Sequence, residues 1–193
     1  VCFPQGLTFN LHIPLPGEHQ VRNAVAAIRA LMVLQVEGFP VDPQSIKEGI
    51  ETARWPGRLE FVGSQPPILL DGAHNPAGAE SLRKYCERFL RKKRLVLVFG
   101  VMRDKDAAEI ANELFPLASE IVLTAAESER SANPSWIAEQ VPEYQQRYHC
   151  TPNLQEALTL ARSLAAPDGI ILVAGSLLLV GDVRRVLNWE AAA

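Results

Sequence analysis

From Glu18 onward apolar residues recur at helical spacing: Val21, Ala24, Val25, Ile28, Leu31 and Met32 share one side of a run that ends at Glu37, where Gly38 supplies a stop. The pattern predicts an amphipathic helix over 18–37. Asp42 and Pro43 form an N-cap and first-turn pair that opens a second helix, through Ile46 and Ile50 to about Arg54. Trp55, Pro56 and Gly57 break it. Beyond this turn the pattern changes, and short apolar runs alternate with helical periods. Strands are expected over 59–63, 68–71, 95–100, 121–124, 147–150 and 170–174, with 147–150 the weakest. Helices are expected between and after them, over 76–92, 105–114, 134–140, 154–164 and 177–187. The first of these sets Leu82, Tyr85, Cys86 and Phe89 on one face, and the helix from Leu154 does so with Leu154, Ala157, Leu158, Ala161 and Leu164.

The runs Leu-Val-Leu-Val-Phe at 95–99 and Ile-Ile-Leu-Val-Ala at 170–174 are apolar at every position. Strands of that kind are buried on both faces, which is the habit of a parallel sheet covered by helices. The expected fold class is therefore α/β, a Rossmann-like domain with a mostly parallel sheet flanked by helices. The Trp55–Gly57 turn marks the expected boundary, with a helical segment over 1–56 and the α/β domain over 57–193.

Composition narrows the function classes. A chain of 193 residues with 48% hydrophobic and 21% charged residues has material for a packed core, so disorder is excluded as a description of the whole. The length suits one domain plus part of another. A net charge of −3 speaks against a nucleic-acid partner. The longest apolar stretch, 170–180, is interrupted by Gly175 and Ser176 and is shorter than the roughly 20 residues of a membrane helix. A soluble protein without a membrane partner is expected. Cys2, Cys86 and Cys150 are odd in number and show no C-x-x-C spacing, so neither a disulfide framework nor a metal site is suggested, and a reducing cytoplasm is the expected location. The sequence begins at Val1 without an initiating Met and reads as a piece of a longer chain.

In an α/β domain ligands bind at the carboxyl ends of the strands, so residues just after each strand hold the candidate chemistry. Asp71-Gly72-Ala73-His74-Asn75-Pro76 is a strand end, a tight turn and a helix start. An Asp leaving a strand can accept from ribose hydroxyls or hold a cation's water, and His74 would lie near a helix N-terminus suited to anions. The alternative is a plain Asn-Pro helix start with a surface histidine. Gly100-Val101-Met102-Arg103-Asp104-Lys105-Asp106 lacks the G-x-G-x-x-G fingerprint of dinucleotide domains and is also compatible with a solvated, capped turn. Gly175-Ser176 either brings amides against an anion or marks a close strand-to-helix packing point. Arg58, just past the break, could reach phosphates. His19, Gln20 and Asn23 open the first helix and read as surface residues unless a ligand sits there. The basic run Arg91-Lys92-Lys93-Arg94 reads as a solvated helix end. No nucleophile triad or paired-carboxylate motif emerges.

Taken together these motifs form a set. Gly17-Glu18-His19-Gln20 with Asn23, Trp55-Pro56-Gly57-Arg58-Leu59-Glu60, Asp71 to Pro76, Gly100-Val101-Met102 with Asp104-Lys105-Asp106, and Ala174-Gly175-Ser176 stand in the order and approximate spacing of one family. The chain resembles folylpolyglutamate synthases and dihydrofolate synthases, ATP-dependent amide ligases related to the Mur ligases. The resemblance covers nearly the whole chain, and the P-G-R-x-E and D-x-A-H-N-P pair is its most specific part.

The resemblance implies that residues 1–56 are the last part of an ATPase domain and 57–193 the C-terminal glutamate ligase domain. It implies ATP and Mg2+ as cofactors, held mostly by a preceding domain, and small-molecule partners: L-glutamate with a folate or dihydropteroate. A monomer is expected. Asn23, Arg58 and Asp71 match nucleotide contacts, His74 and Ser176 match the reaction centre or glutamate site, and Arg130 matches the arginine of an R-A-x-x-P loop, with Ser131 where Ala is usual. The family's Gly-Lys-Ser or Gly-Lys-Thr phosphate loop, carbamylated lysine and magnesium ligands are not found in this sequence. The expectation is a C-terminal portion that is inactive as a ligase by itself. The alternatives are a stand-alone Rossmann-like nucleotide-binding module and a Mur-type ligase with another acceptor.

Overall fold

The computed structural model describes residues 8, 10–63 and 65–187. The chain divides into two compact units, Val1–Trp55 and Pro56–Ala193. In the first, helices α1 (Glu18–Val36) and α2 (Pro43–Glu51) follow the expected pattern. Asp42 caps α2, accepting from the backbone N–H groups of Gln44 and Ser45. Among the described residues of this unit Ile28 and Ile46 form a buried cluster, with Leu11, Leu31, Met32, Val41 and Ile50 packed partly against them. Val21 and Val25, expected on the inner face of α1, are exposed at 51% and 44%. Ala24 and Ile28 carry the buried stripe instead.

The second unit is a six-stranded sheet with strands β1 (Glu60–Val62), β2 (Ile68–Leu70), β3 (Leu95–Phe99), β4 (Glu120–Leu123), β5 (Tyr148–Cys150) and β6 (Ile170–Ala174). Their spatial order is β1-β2-β6-β3-β4-β5. Only β1 runs antiparallel; the other pairings are parallel. Helices α3 (Pro76–Phe89), α4 (Ala107–Leu114) and α5 (Pro134–Gln140) pack on one face. Helices α6 (Leu154–Ala165) and α7 (Leu177–Val186) pack on the other. Alternate residues serve the two faces, so Leu97 and Phe99 join the first core while Val96 and Val98 join the second. This is why β3 and β6 are apolar throughout.

Two expectations shift. The helix from Pro76 ends at Phe89, and that ring is 59% exposed, because the buried stripe runs through Ala79, Leu82 and Cys86. Helix α4 starts at Ala107 because Asp106 caps it, accepting from the Glu109 N–H.

Topology sets up the site. From β2 and β3 the chain leaves toward the α3–α4 face, whereas from β6, which lies between them, it leaves toward the α7 face. Successive departures to opposite faces open a crevice at the carboxyl ends of these strands.

Candidate functional site

The crevice is lined first by the end of β2. Asp71 is buried at 5% exposure, and its two oxygens accept from different segments: Oδ2 from the Leu59 N–H at 3.0 Å and Oδ1 from the Ala73 N–H at 2.9 Å. Leu59 has φ 48°, a conformation that a residue with a Cβ rarely adopts, and Gly57 has φ 73°. The carboxylate therefore grips a strained Gly57-Arg58-Leu59 turn, which the Gly72 N–H secures from the other side by donating to the Gly57 carbonyl at 2.9 Å. The backbone of Arg58 is thus pinned beside residues 71–72, and its half-buried side chain starts from there. A Cβ on Gly72 would lie 2.2 Å from Leu177 Cδ2, so this turn approaches the α7 start closely enough that a side chain there would displace the exposed Leu177.

His74 follows. Its Nδ1 lies 2.8 Å from the Gly72 carbonyl oxygen. A carbonyl can only accept, so Nδ1 carries the proton and a neutral ring presents an unprotonated Nε2. Asn75 then caps α3 by accepting from the Gly78 N–H at 2.8 Å. The end of β6 is tied to the same turn: the Gly175 N–H donates to the Ala73 carbonyl at 2.9 Å. Gly175 has φ 103°, and a Cβ there would meet the Gly100 carbonyl oxygen at 2.5 Å and the Phe99 ring at 2.8 Å. Ser176, 2% exposed, caps α7, its Oγ accepting from the N–H groups of Leu178 (3.1 Å) and Leu179 (3.4 Å).

On the far side, the loops after β3 and β4 are zipped together. The Arg103 N–H donates to the Arg130 carbonyl and the Ala132 N–H to the Val101 carbonyl, both at 2.9 Å. Arg103 Nε donates to the Ser131 carbonyl at 3.0 Å. Arg130 Nη2 reaches Asp104 Oδ1 at 3.1 Å, and Lys105 Nζ lies 3.0 Å from Asp104 Oδ2. Hydrogen bonds from Lys105, then Arg130, hold the Asp104 carboxyl below the usual carboxylate range. Arg130 is thereby presented on an exposed loop with its guanidinium already facing a carboxylate.

The structure thus brings Arg58, Asp71, His74 and Ser176 to the β2 and β6 ends and sets Arg130 on the β4 loop. Asn23 belongs to the first unit, on α1, where its Nδ2 donates to Gln20 Oε1 at 3.1 Å. Sequence reasoning missed that Asp71 serves the backbone of its own chain, since no pattern announces that a residue such as Leu59 takes a positive φ. It also missed Asp182, buried at 5% in α7. The signal was present: a lone carboxylate inside the apolar run Leu-Leu-Leu-Val-Gly-Asp-Val.

Fold and crevice define a doubly wound α/β domain that can hold a ligand at the carboxyl ends of its central strands. The chain belongs to the Mur ligase family, its residues 57–177 matching the glutamate ligase domain. A folylpolyglutamate synthase of Lacticaseibacillus casei is 33% identical over 184 residues, covering 94% of this chain and 41% of that protein. A probable bifunctional folylpolyglutamate synthase/dihydropteroate synthase of Haloferax volcanii is also 33% identical, covering 96% of this chain and 21% of the relative. Among solved structures, Mycobacterium tuberculosis folylpolyglutamate synthase complexed with ADP superposes with a TM-score of 0.84 at 31% identity, covering 96% of this chain and 43% of that one. The chain therefore spans less than half the length of these relatives.

The residues present accord with part of a nucleotide site. An arginine on a rigid turn suits phosphate, and the half-exposed His74 adds a polar group at the same strand end. Among the described residues no group of three His, Cys, Asp or Glu side chains is placed to hold a metal ion. A cation cage is not built from these side chains. Among the described residues no helix is long and apolar enough to cross a membrane.

Proposed function

We propose that this chain is the C-terminal portion of an ATP-dependent amide ligase that adds L-glutamate to a folate, to dihydropteroate, or to both. In this reading Val1–Trp55 is the last helical part of an ATPase domain, Pro56–Ala193 the glutamate ligase domain, and the enzyme a cytoplasmic monomer. The observation that carries it is the convergence of Arg58, His74 and Ser176 at the ends of β2 and β6, through the turn that Asp71 fastens. The solved relative with ADP supports a nucleotide, and a Yersinia pestis relative complexed with AMPPNP and Mn ion supports a divalent metal. ATP and Mg2+ would be held chiefly by the rest of the polypeptide.

The chemistry proceeds in two transfers. An oxygen of the acceptor carboxylate takes the γ-phosphoryl group, releasing ADP. The glutamate amine then attacks the acyl carbon, the C–O bond to phosphate breaks, and phosphate and the amine's proton leave as the amide forms. This chain's residues serve both. Arg58, on the turn that Asp71 fastens, lies against phosphate, where a positive side chain stabilises spreading charge. His74, with Nε2 as its open nitrogen, takes the proton of the attacking amine. Ser176 fixes the start of α7 at the reacting group. Arg130 pairs with a glutamate carboxylate. Holding amine and acyl carbon together supplies much of the rate.

The complete gene product, given ATP, Mg2+, L-glutamate and either dihydropteroate or a folate, is expected to release ADP and form the glutamyl amide. Val1–Ala193 alone is expected to release none. Absence of glutamate-dependent ADP release from the complete gene product with both acceptors would overturn the proposal. A second reading, a Mur ligase with another acceptor, is favoured by one match: a UDP-N-acetylmuramoyl-L-alanyl-D-glutamate–2,6-diaminopimelate ligase of Clostridium acetobutylicum, 30% identical over 91% of this chain. Activity with a muramyl acceptor and diaminopimelate, and none with folates, would select it.

A further inference from the structure

Asp182 is a buried carboxylate that the proposed chemistry leaves without a task. It sits on α7, six residues after the Ser176 cap, among Leu179, Val180 and Val183, which already fasten that helix to the sheet. Packing alone gives no reason for a charge here, because a carboxylate at 5% exposure loses most of its hydration and must recover that cost from its partners. Its partners are specific. Oδ2 accepts from the Glu127 N–H at 2.7 Å, across 55 residues of sequence. Oδ1 accepts from Arg185 Nη2 at 2.5 Å, and Arg185 Nη1 closes the ring on Glu127 Oε2 at 2.8 Å.

The segment it grips leads directly to Arg130. Ala126, next to Glu127, is the hub of the β4 loop, its carbonyl accepting from the Ser128 N–H at 2.8 Å and from Ser131 Oγ at 2.9 Å. The Ser131 N–H donates to the Ser128 carbonyl at 3.0 Å, and the Arg130 N–H to Ser128 Oγ at 3.2 Å. One end of this folded loop is zipped to the loop after β3; the other is held by Asp182. The same helix thus carries Ser176 at its start and, at Asp182, the anchor for the loop that presents Arg130.

We infer that Asp182 is a positioning residue, a latch that sets the β4 loop bearing Arg130 against the α7 start bearing Ser176 and so tunes recognition of the incoming amino acid's carboxylate. The inference rests on the proposed ligase reading for its substrate and on the hydrogen bonds of Asp182 and Arg185 for its geometry. It touches no substrate itself. It acts through the Glu127 amide and Arg130.

The test uses the complete gene product in three forms: wild type, Asp182→Ala and Asp182→Asn. Asn keeps a side-chain oxygen that can accept from the Glu127 N–H, whereas Ala keeps none. Hydrogen exchange of amides 127–131 is read alongside KM for L-glutamate, KM for ATP and kcat. Asp182→Ala is expected to speed exchange at those amides and to raise KM for glutamate about tenfold, the worth of one charge-assisted hydrogen bond, with kcat and KM for ATP within about twofold. Asp182→Asn is expected to recover most of both effects. Unchanged exchange in Asp182→Ala overturns the latch. Loosened amides with an unmoved KM for glutamate overturn its role in recognition, as does an equal fall of all parameters that Asn does not relieve. Should Asp182→Ala fail to fold, the Asn variant alone decides, by whether its exchange and KM for glutamate stay near wild type. An inactive wild type would sink the ligase reading instead, while the exchange data still judge the latch.

Discussion

Asp71 shows why a strand-end carboxylate cannot be assigned to a ligand by position alone. Its oxygens satisfy the N–H groups of Leu59 and Ala73, so the residue is part of the frame that carries Arg58 and His74. Asp71→Ala is therefore expected to cost about 2–3 kcal/mol of folding stability through two abandoned backbone donors, measured by urea unfolding, in addition to any loss of turnover. An unaltered unfolding midpoint would show that the turn holds without it. Cys86 gives a second residue-scale prediction. Burial pushes its thiol from 9.0 up to about 12, so at pH 8 it stays protonated and shielded. Iodoacetamide at pH 8 should label exposed Cys150 and leave Cys86 unmodified in the folded chain, as read by peptide mass spectrometry. The folded state holds that proton more tightly than the unfolded chain does, so the stability linked to Cys86 is intact below about pH 9 and is lost as pH rises toward 12. Arg58, His74 and Ser176 were legible as candidates from motif order. Their partners were not, because Asp71 reaches Leu59 and Asp182 reaches Glu127 only after the chain has folded.

Elements were the most legible scale in this sequence, because their signals are local. Asn75, Asp106, Asn133, Asn153 and Ser176 each cap the helix that follows, and each stands where an apolar period begins. The inward face was harder to place. Phe89 and Val21 fit a helical period, yet only contact with a sheet or a second helix decides which stripe is buried. Strand order was beyond local reading, since nothing within Ile170–Ala174 says that it inserts between β2 and β3. The glycines at strand ends belong to this scale, for they let β6 turn sharply into α7 beside its neighbours. Gly175→Ala is expected to destabilise the second unit by about 2 kcal/mol or more, because φ 103° strains any residue with a Cβ and the Gly100 carbonyl cannot move aside cheaply. A thermal scan in which Gly175→Ala melts with the wild type would contradict this close packing.

At the scale of the whole molecule, the two units differ in self-sufficiency. The second unit has a core on each face of its sheet, whereas among the described residues of the first the buried cluster consists of Ile28 and Ile46. Meanwhile α1 leaves Val21, Val25, Val33 and Val36 between 44% and 77% exposed. Such a face suits a helix from a larger domain, consistent with the proposal that Val1–Trp55 completes an ATPase core. The double variant Val25→Glu/Val33→Glu is expected to lower the urea unfolding midpoint of the complete gene product; an unchanged midpoint would place that face in solvent. The central claim is that the crevice at the ends of β2 and β6 is where the ligation occurs. Its most direct test is the rate of glutamate-dependent ADP release by the complete gene product, wild type against His74→Ala. A fall of about a hundredfold or more, with unfolding stability changed by less than about 1 kcal/mol, is the predicted result. A stably folded His74→Ala enzyme with near wild-type turnover would contradict it.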